Sequence, residues 1–289
     1  MVSSNKQESA IQRLNLSVLR TEIHNKDTGE STMKITVCEL PNNWTDNDLR
    51  WNLLIDHLKK KDSDLLILPE MPFFKWLTRS DQVEPEKWED AVKAHDLWIE
   101  KLQELPVSTI LSSRPVIEKN KRLNRGFIWT RDKGYIPVHD KYYLPDEPGY
   151  YEASWYQRGH ENFNTINING INIGFLICTE LWFTTRAREY LKQDIHLLAC
   201  PRATPESTID KWLIGGQAAA IVSGAYCVSS NFNGPNTSDE NFGGTGWIID
   251  PEKGEFLGTT SKDKIFLTLE IYPEKANEAK KTYPRYVKD

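Results

Sequence analysis

LLILPEMPFF (65–74) contains a short apolar run that stands between Asp64 and Pro69 and is followed by Glu70. A run of this length and composition predicts a strand that is buried on both faces, as in a sheet covered by helices. Strand-like and helix-like patterns alternate on both sides of it: a strand at 33–40, a helix that starts near 43–45 and has apolar residues at helical spacing from 49 to 58, and a helix from about 85 to 105. The alternation predicts an α/β domain with helices packed on its sheet.

Two more segments place a reactive side chain after a predicted strand. RGFIWTRDKGYIPV (125–138) predicts a hairpin and is followed by Lys141. FNTININGINIGFLIC (163–178) predicts a second hairpin, which turns at Asn169-Gly170 and ends its last strand on Cys178. Sites in layered α/β proteins assemble beyond strand ends. A carboxylate, an ammonium and a thiol are sufficient for acyl transfer, as base, oxyanion partner and nucleophile.

Composition excludes several classes of function. A net charge of -5 gives no electrostatic footprint for nucleic acid or an anionic membrane. The chain has no apolar run of transmembrane length, and its N-terminus lacks the apolar core of a secretory signal, so we expect a cytoplasmic protein without a membrane partner. Residues 1–32 are polar and weakly patterned, and we interpret them as an N-terminal extension of a single domain over 33–289.

Most cysteines and histidines have a structural interpretation. The four cysteines are widely spaced without a CxxC pair, which disfavours a disulfide framework or a zinc site. Cys38, Cys200 and Cys227 lie inside apolar strands and are expected to be buried thiols. A Cys–His dyad is the main rival mechanism. His139, His160 and His196 are the histidines to consider, and none of them lies in a motif typical of a papain-like enzyme.

Three motifs then resemble those of one enzyme family. LPEMPFF (68–74), KYYLPDEPGYYE (141–152) and GFLICTELWF (174–183) are similar, in this order, to the motifs of the nitrilase superfamily, the carbon–nitrogen hydrolases. The resemblance extends from about residue 33 to the C-terminus. It implies a four-layer α-β-β-α sandwich and a catalytic triad of Glu70, Lys141 and Cys178, with no metal and no organic cofactor.

The resemblance implies further site residues. Glu152 matches a second glutamate that supports the lysine and the attacking water. The Thr179 N–H would complete the oxyanion hole, and Glu180 fills an acidic position two residues after the cysteine. Three tryptophans lie within six residues of a triad member or Glu152, and at least one is expected to line the pocket: Trp76, Trp155 and Trp182.

The amidase branches fit the motifs best. Residues 141–159 are most similar to N-carbamoylputrescine amidases, and Thr179 stands where true nitrilases resemble one another in having tryptophan. The predicted reaction is hydrolysis of a small linear amide or N-carbamoyl amine through a thioester on Cys178. Three alternatives stay open: a nitrilase, an acyltransferase that passes the same thioester to an amine, and a binding module without catalysis. The resemblance also implies a homodimer or a larger homo-oligomer, and TYPRYVKD (282–289) resembles tails that cross to a neighbouring subunit.

Overall fold

The computed structural model describes residues 31–42, 49–236 and 240–288. The extension predicted over 1–32 lies almost entirely outside the described residues, as does a helix start predicted at Asn43–Thr45. In the described part of the chain, thirteen strands form one sheet and β6 pairs with β7 separately. Among the same residues, no helix has the length and apolar character needed to cross a membrane.

The elements alternate as the sequence predicts. The strands are β1 Met33–Pro41, β2 Leu65–Ile67, β3 Thr109–Glu118, β4 Lys121–Thr130, β5 Gly134–Asp140, β6 Asp146–Glu147, β7 Tyr150–Tyr151, β8 Ile166–Ile168, β9 Ile171–Phe175, β10 Leu197–Pro201, β11 Tyr226–Pro235, β12 Asn241–Gly243, β13 Trp247–Ile249, β14 Phe256–Thr259 and β15 Phe266–Ile271. The helices are α1 Leu49–Lys61, α2 Pro85–Lys101, α3 Glu152–Trp155, α4 Thr184–Leu191, α5 Ile209–Ser223 and α6 Glu274–Lys280.

The sheet curves into two halves that face each other. Its strand order is β5-β4-β3-β2-β1-β11-β10-β9-β8, and β15 pairs with the first part of β1. Along β2 and at the residue after it, Leu65 and Ile67 join the core between the halves, whereas Leu66 and Leu68 pack beneath α1 and α2. Helices α4 and α5 pack on the other half of the sheet through Tyr190 and through further aromatic and small side chains. Helix, sheet, sheet and helix form four layers, so the predicted fold class is confirmed.

Local chemistry explains the turns that connect these layers. Asn169 and Gly170 have φ angles of 50° and 87°, as a two-residue hairpin turn requires. Helix α1 ends on Lys59, Lys60 and Lys61, whose positive charges favour the carbonyl end of a helix. Helix α5 ends at Gly224, which takes a left-handed φ of 62°. Both hairpins predicted from the sequence are confirmed.

Strand direction determines where the site forms. Strands β1, β2 and β3 are parallel to one another, and β1 is also parallel to β11, which is parallel to β10 and, through it, to β9. Strand β5 runs in the same direction because two antiparallel pairings connect it to β3. The loops after β2, β5 and β9 therefore leave the same edge of the sheet, and they carry Glu70, Lys141 and Cys178.

Candidate active site

Glu70 is fully buried at the start of the loop after β2. Its backbone N–H donates to the Arg202 carbonyl at 3.2 Å, which ties the loop to the end of β10. One carboxylate oxygen, Oε1, accepts hydrogen bonds from Lys141 Nζ at 2.8 Å and from Asn124 Nδ2 at 2.7 Å. The other oxygen, Oε2, has no hydrogen-bond partner among the described residues. Glu70 is thus held through one oxygen, and the other is free to accept a proton.

Lys141 connects two carboxylates. It directly follows β5, and its ammonium is fully buried between Glu70 Oε1 and Glu152 Oε2, the latter at 2.6 Å. The aromatic neighbours Tyr142 and Tyr143 favour burial of this ammonium. Complete burial is possible because the negative charges of the two carboxylates compensate the ammonium for its lost hydration.

Asn124 and Tyr156 complete the cluster, and sequence reasoning missed both. Asn124 lies in β4, where its amide holds Glu70 and its backbone carbonyl accepts the Lys141 N–H at 2.9 Å. The Tyr156 hydroxyl donates to Glu152 Oε2, whereas Glu152 Oε1 has no partner among the described residues. Asn124 stands next to Arg125 in a strand with several polar residues, so its residue type alone gave no signal that it lies at the site.

The prediction that Cys178 ends a strand is wrong. Cys178 instead begins a 3₁₀ helix over Cys178–Trp182. Strand β9 stops at Phe175, and Cys178 takes a left-handed φ of 50°, which is uncommon for a residue with a side chain. Its sulfur lies 4.0 Å from the Ala203 carbonyl. The sharp turn places the thiol beyond the sheet edge, on the same side as Glu70 and Lys141.

Glu180 fastens this turn to the loop that carries Lys141. Its carboxylate accepts the backbone N–H groups of Ile177 at 2.8 Å and Tyr142 at 2.7 Å. It also bonds to Nε2 of His139 at 2.9 Å, and both side chains are buried. Glu180 therefore joins the residue before Cys178 to the residue after Lys141. Its oxygens are occupied by these donors, and it does not lie among the residues that line the cavity described below.

The charges in this cluster depend on one another. Burial raises the pKa of Cys178 well above its usual value; Glu70 raises it further, and Lys141 opposes the rise. Burial also raises the pKa of Glu152 to about 7, against the attraction of Lys141 and with the help of Glu70. Burial disfavours the Lys141 ammonium, but the two glutamates outweigh that effect and its pKa lies well above the ordinary range. The thiol is thus neutral at rest, and the raised pKa of Glu152 lets that carboxyl exchange a proton near neutral pH.

A cavity of about 220 Å³ opens on Cys178. Cys178 and Glu152 lie at its buried floor, and Thr179 lies beside them. Its remaining lining is largely apolar and aromatic, with two charged side chains among it: Pro145, Glu147, Tyr150, Trp182, Ala203, Thr204, Pro205, Thr208, Lys211 and Trp212. The volume suits a small substrate with an apolar chain.

The profile of the carbon–nitrogen hydrolase family matches residues 34–281. The chain belongs to the carbon–nitrogen hydrolase family. Its members are hydrolases that act on carbon–nitrogen bonds, within the nitrilase superfamily that the motifs indicated. A search of curated proteins gives no significant match.

Solved structures of this family share the fold. The carbon–nitrogen hydrolase of Helicobacter pylori G27 is 21% identical, with a TM-score of 0.75 over 90% of this chain and 96% of that chain. A superfamily member from Xanthomonas campestris, with an arsenic adduct in its active site, is 20% identical, with a TM-score of 0.73 over 90% and 98%. A mutant amidase from Nesterenkonia sp. AN1, with the acetamide moiety of fluoroacetamide added covalently at the active-site cysteine, is 18% identical, with a TM-score of 0.69 over 87% and 94%.

The three tryptophans predicted near the site have different positions in this carbon–nitrogen hydrolase. Trp182 lines the cavity and lies 5.4 Å, between ring centroids, from Trp212, which the sequence did not single out. Trp76 and Trp155 instead line a separate cavity of about 530 Å³. Distance along the chain does not show which way a side chain points, so proximity to Glu70 or Glu152 was not sufficient.

Arg202 is another residue that sequence reasoning missed. Its guanidinium is buried 3.8 Å from the centroid of the Trp247 ring, and burial lowers its pKa to about 10. It donates to Thr204 Oγ1 at 2.9 Å and to the Thr245 carbonyl at 2.7 Å. Arg202 thereby holds the Ala203–Pro205 wall of the cavity in place.

The remaining cysteines do not line the cavity. Cys38, Cys200 and Cys227 are buried in β1, β10 and β11. Within the described ranges, no group of three or more His, Cys, Asp or Glu side chains is arranged to hold a metal ion.

Proposed function

We propose that this protein hydrolyses a small linear amide or N-carbamoyl amine, with Cys178 as the nucleophile. One observation carries the proposal. Cys178 stands on a left-handed turn at the floor of a small cavity, beside a buried cluster of two carboxylates and one ammonium. Family membership supports carbon–nitrogen hydrolysis in general, and the likeness of residues 141–159 to N-carbamoylputrescine amidases supports the finer assignment.

The first half of the reaction forms a thioester. Glu70 takes the thiol proton on Oε2, its free oxygen, as the sulfur bonds to the carbonyl carbon. The carbonyl oxygen becomes an oxyanion, which the Lys141 ammonium and the Thr179 N–H stabilise. Glu70 then gives its proton to the leaving nitrogen, the carbon–nitrogen bond breaks, and ammonia or an amine departs. An acyl group remains on Cys178.

The second half releases the product acid. Glu70 removes a proton from a water molecule that attacks the thioester, and Glu152 positions that water with Oε1, which is buried at the cavity floor and free of other partners. The new oxyanion collapses, the carbon–sulfur bond breaks, and the thiolate recovers the proton from Glu70. Every proton that leaves a reacting atom is thus carried by one carboxylate.

Matched substrates test this proposal. An amide, an N-carbamoyl amine and a nitrile with the same side chain should give a clearly higher kcat/KM for one of the first two, measured as ammonia release. The amide reaction depends more strongly on paired oxyanion donors because its first intermediate is tetrahedral. A clear preference for the nitrile would support nitrilase activity instead, and transfer to added amines in place of water would support an acyltransferase.

We also propose that the protein is at least a homodimer. The tail is anchored on its own subunit by Arg285, which donates to the Ile221 carbonyl at 2.9 Å. Tyr283 and Tyr286 of the same tail are 75% and 61% exposed, so their rings are available to a second copy. Light scattering should report a mass of two chains or more; a fully active monomer would contradict the proposal. Cytoplasmic residence stays a prediction.

A further inference from the structure

Two opposite charges lie at the mouth of the catalytic cavity. Glu147 is in β6, and Lys211 is in the first turn of α5; both side chains are exposed and both line the cavity around Cys178. Of the cavity-lining residues in the described chain, the other ionisable ones are Tyr150 in the wall and Cys178 and Glu152 at the floor. The cavity therefore has its chemistry at one end and a pair of opposite charges at the other.

Neither mouth charge is neutralised by a side chain in the part of the chain that the structure describes. Among the described residues, Glu147 and Lys211 form no ion pair with each other or with another side chain. Charges nearby behave differently: Glu206, three residues before α5, pairs with Lys262 at 2.9 Å. Both charges line the same cavity, and a bound molecule would bring each of them out of water and strengthen its attraction for an opposite charge.

The wall between the two ends is suited to a short hydrocarbon chain. Tyr150, Trp182 and Trp212 line the cavity, and Tyr150 and Trp212 are each 8% exposed. Aromatic faces of this kind pack well against methylene groups and offer no charge. A substrate that fits has its reacting carbonyl at one end, a short apolar chain, and both a positive and a negative charge at the other end.

We infer that the substrate is a free α-amino acid whose side chain ends in an amide or carbamoyl group. Its α-carboxylate binds Lys211, its α-ammonium binds Glu147, and its side-chain carbonyl carbon meets the Cys178 sulfur. The inference rests on the proposed hydrolysis at Cys178 and adds the part of the substrate that the catalytic residues do not touch.

Four amides that share the chain from the amide carbonyl to the carbon that carries the charged groups test the two charges separately. L-glutamine carries both charges, 4-carbamoylbutanoate only the carboxylate, 4-aminobutanamide only the ammonium, and butanamide neither. Ammonia release from each gives kcat/KM for the full-length wild type, for Lys211→Gln and for Glu147→Gln. Asp210→Asn and Lys253→Gln are matched controls, because they remove an exposed charge that does not line the cavity.

The wild type should favour L-glutamine over butanamide by at least tenfold in kcat/KM. Lys211→Gln should lower kcat/KM by roughly fivefold or more for the two carboxylate-bearing amides only, and Glu147→Gln by a similar factor for the two ammonium-bearing amides only, as expected for one partly exposed ion pair each. The control variants should behave as the wild type with all four.

Other outcomes overturn the inference. Equal kcat/KM for all four amides, or a variant that affects all four alike, would show that the mouth charges do not contribute to substrate recognition. Dependence on only one of the two charges would reject the amino-acid head group. In these cases butanamide hydrolysis that requires Cys178 would leave the proposed function standing. Absence of ammonia release from every amide would reject the inference, and absence of release from an N-carbamoyl amine as well would reject the proposed function.

Discussion

Replacing Glu152 by glutamine is expected to stabilise the protein above pH 7 while it abolishes most activity. Burial raises the pKa of Glu152 from its ordinary 4.5 to about 7, and Glu70 contributes to the rise while Lys141 opposes it. The folded protein therefore binds the Glu152 proton more tightly than the unfolded chain does. The stability that this provides is complete below pH 4.5 and is lost as the pH rises to about 7.

The structure gives the size of this effect. At about 1.4 kcal/mol for each pH unit, the rise from 4.5 to about 7 corresponds to about 3 kcal/mol of unfolding free energy lost by the wild type. Glutamine cannot ionise, and its amide oxygen can still accept from Tyr156 and Lys141. The difference in unfolding free energy between Glu152→Gln and the wild type should grow by about 3 kcal/mol from pH 4.5 to pH 8.

Urea unfolding at several pH values measures this difference. Glu255→Gln is the matched control because Glu255 is exposed, and its difference from the wild type should not change with pH. Ammonia release should fall by roughly 100-fold or more in Glu152→Gln, since Lys141 and the attacking water lose a charged partner. A variant that is less stable than the wild type at pH 8, or a difference that is the same at pH 5 and pH 8, would refute the reasoning.

Three further substitutions test the supports of the site. Gly159→Ala would place a Cβ 2.2 Å from the Asp140 carbonyl oxygen, so urea unfolding should show a loss of about 1–3 kcal/mol together with lower kcat; unchanged values would contradict the close packing. Glu180→Ala removes the acceptor of the buried Ile177 N–H and of the other groups that donate to Glu180, and the free energy of unfolding should fall by about 3–5 kcal/mol. A wild-type urea midpoint would show that Glu180 does not hold the Cys178 turn in place. Trp212→Ala should raise KM more than it lowers kcat in steady-state assays, and the opposite pattern would place Trp212 outside substrate binding.

Features governed by local chemistry could be predicted from the sequence. The turn at Asn169-Gly170 follows from the tolerance of both residues for positive φ. The apolar run before Glu70 predicted a buried strand, and the spacing of the motifs brought Glu70, Lys141 and Cys178 to one edge of the sheet. These signals depend on residues within a few positions of one another or on a fold class that the motifs identify.

Features that depend on contacts between distant segments could not be predicted. The apolar residues before Cys178 continue a strand pattern, yet β9 ends at Phe175 because Cys178 takes a left-handed turn and Glu180 captures the Ile177 N–H. The cavity wall combines Tyr150 with Trp212, which are separated by more than sixty positions and have no shared motif. Sequence spacing contains no information on such contacts.

Trapping the acyl group on Cys178 tests the central claim most directly. The enzyme is mixed with an excess of an amide that it hydrolyses. The mixture is quenched with acid during turnover, digested and analysed by mass spectrometry. The peptide that contains Cys178 should carry the mass of the acyl group, and Cys178→Ala should lose this adduct together with a factor on the order of 10⁴ or more in kcat. Cys200→Ala, the matched control, should keep both. Substantial turnover by Cys178→Ala, or an acyl group on Cys200 in the wild type, would contradict the mechanism.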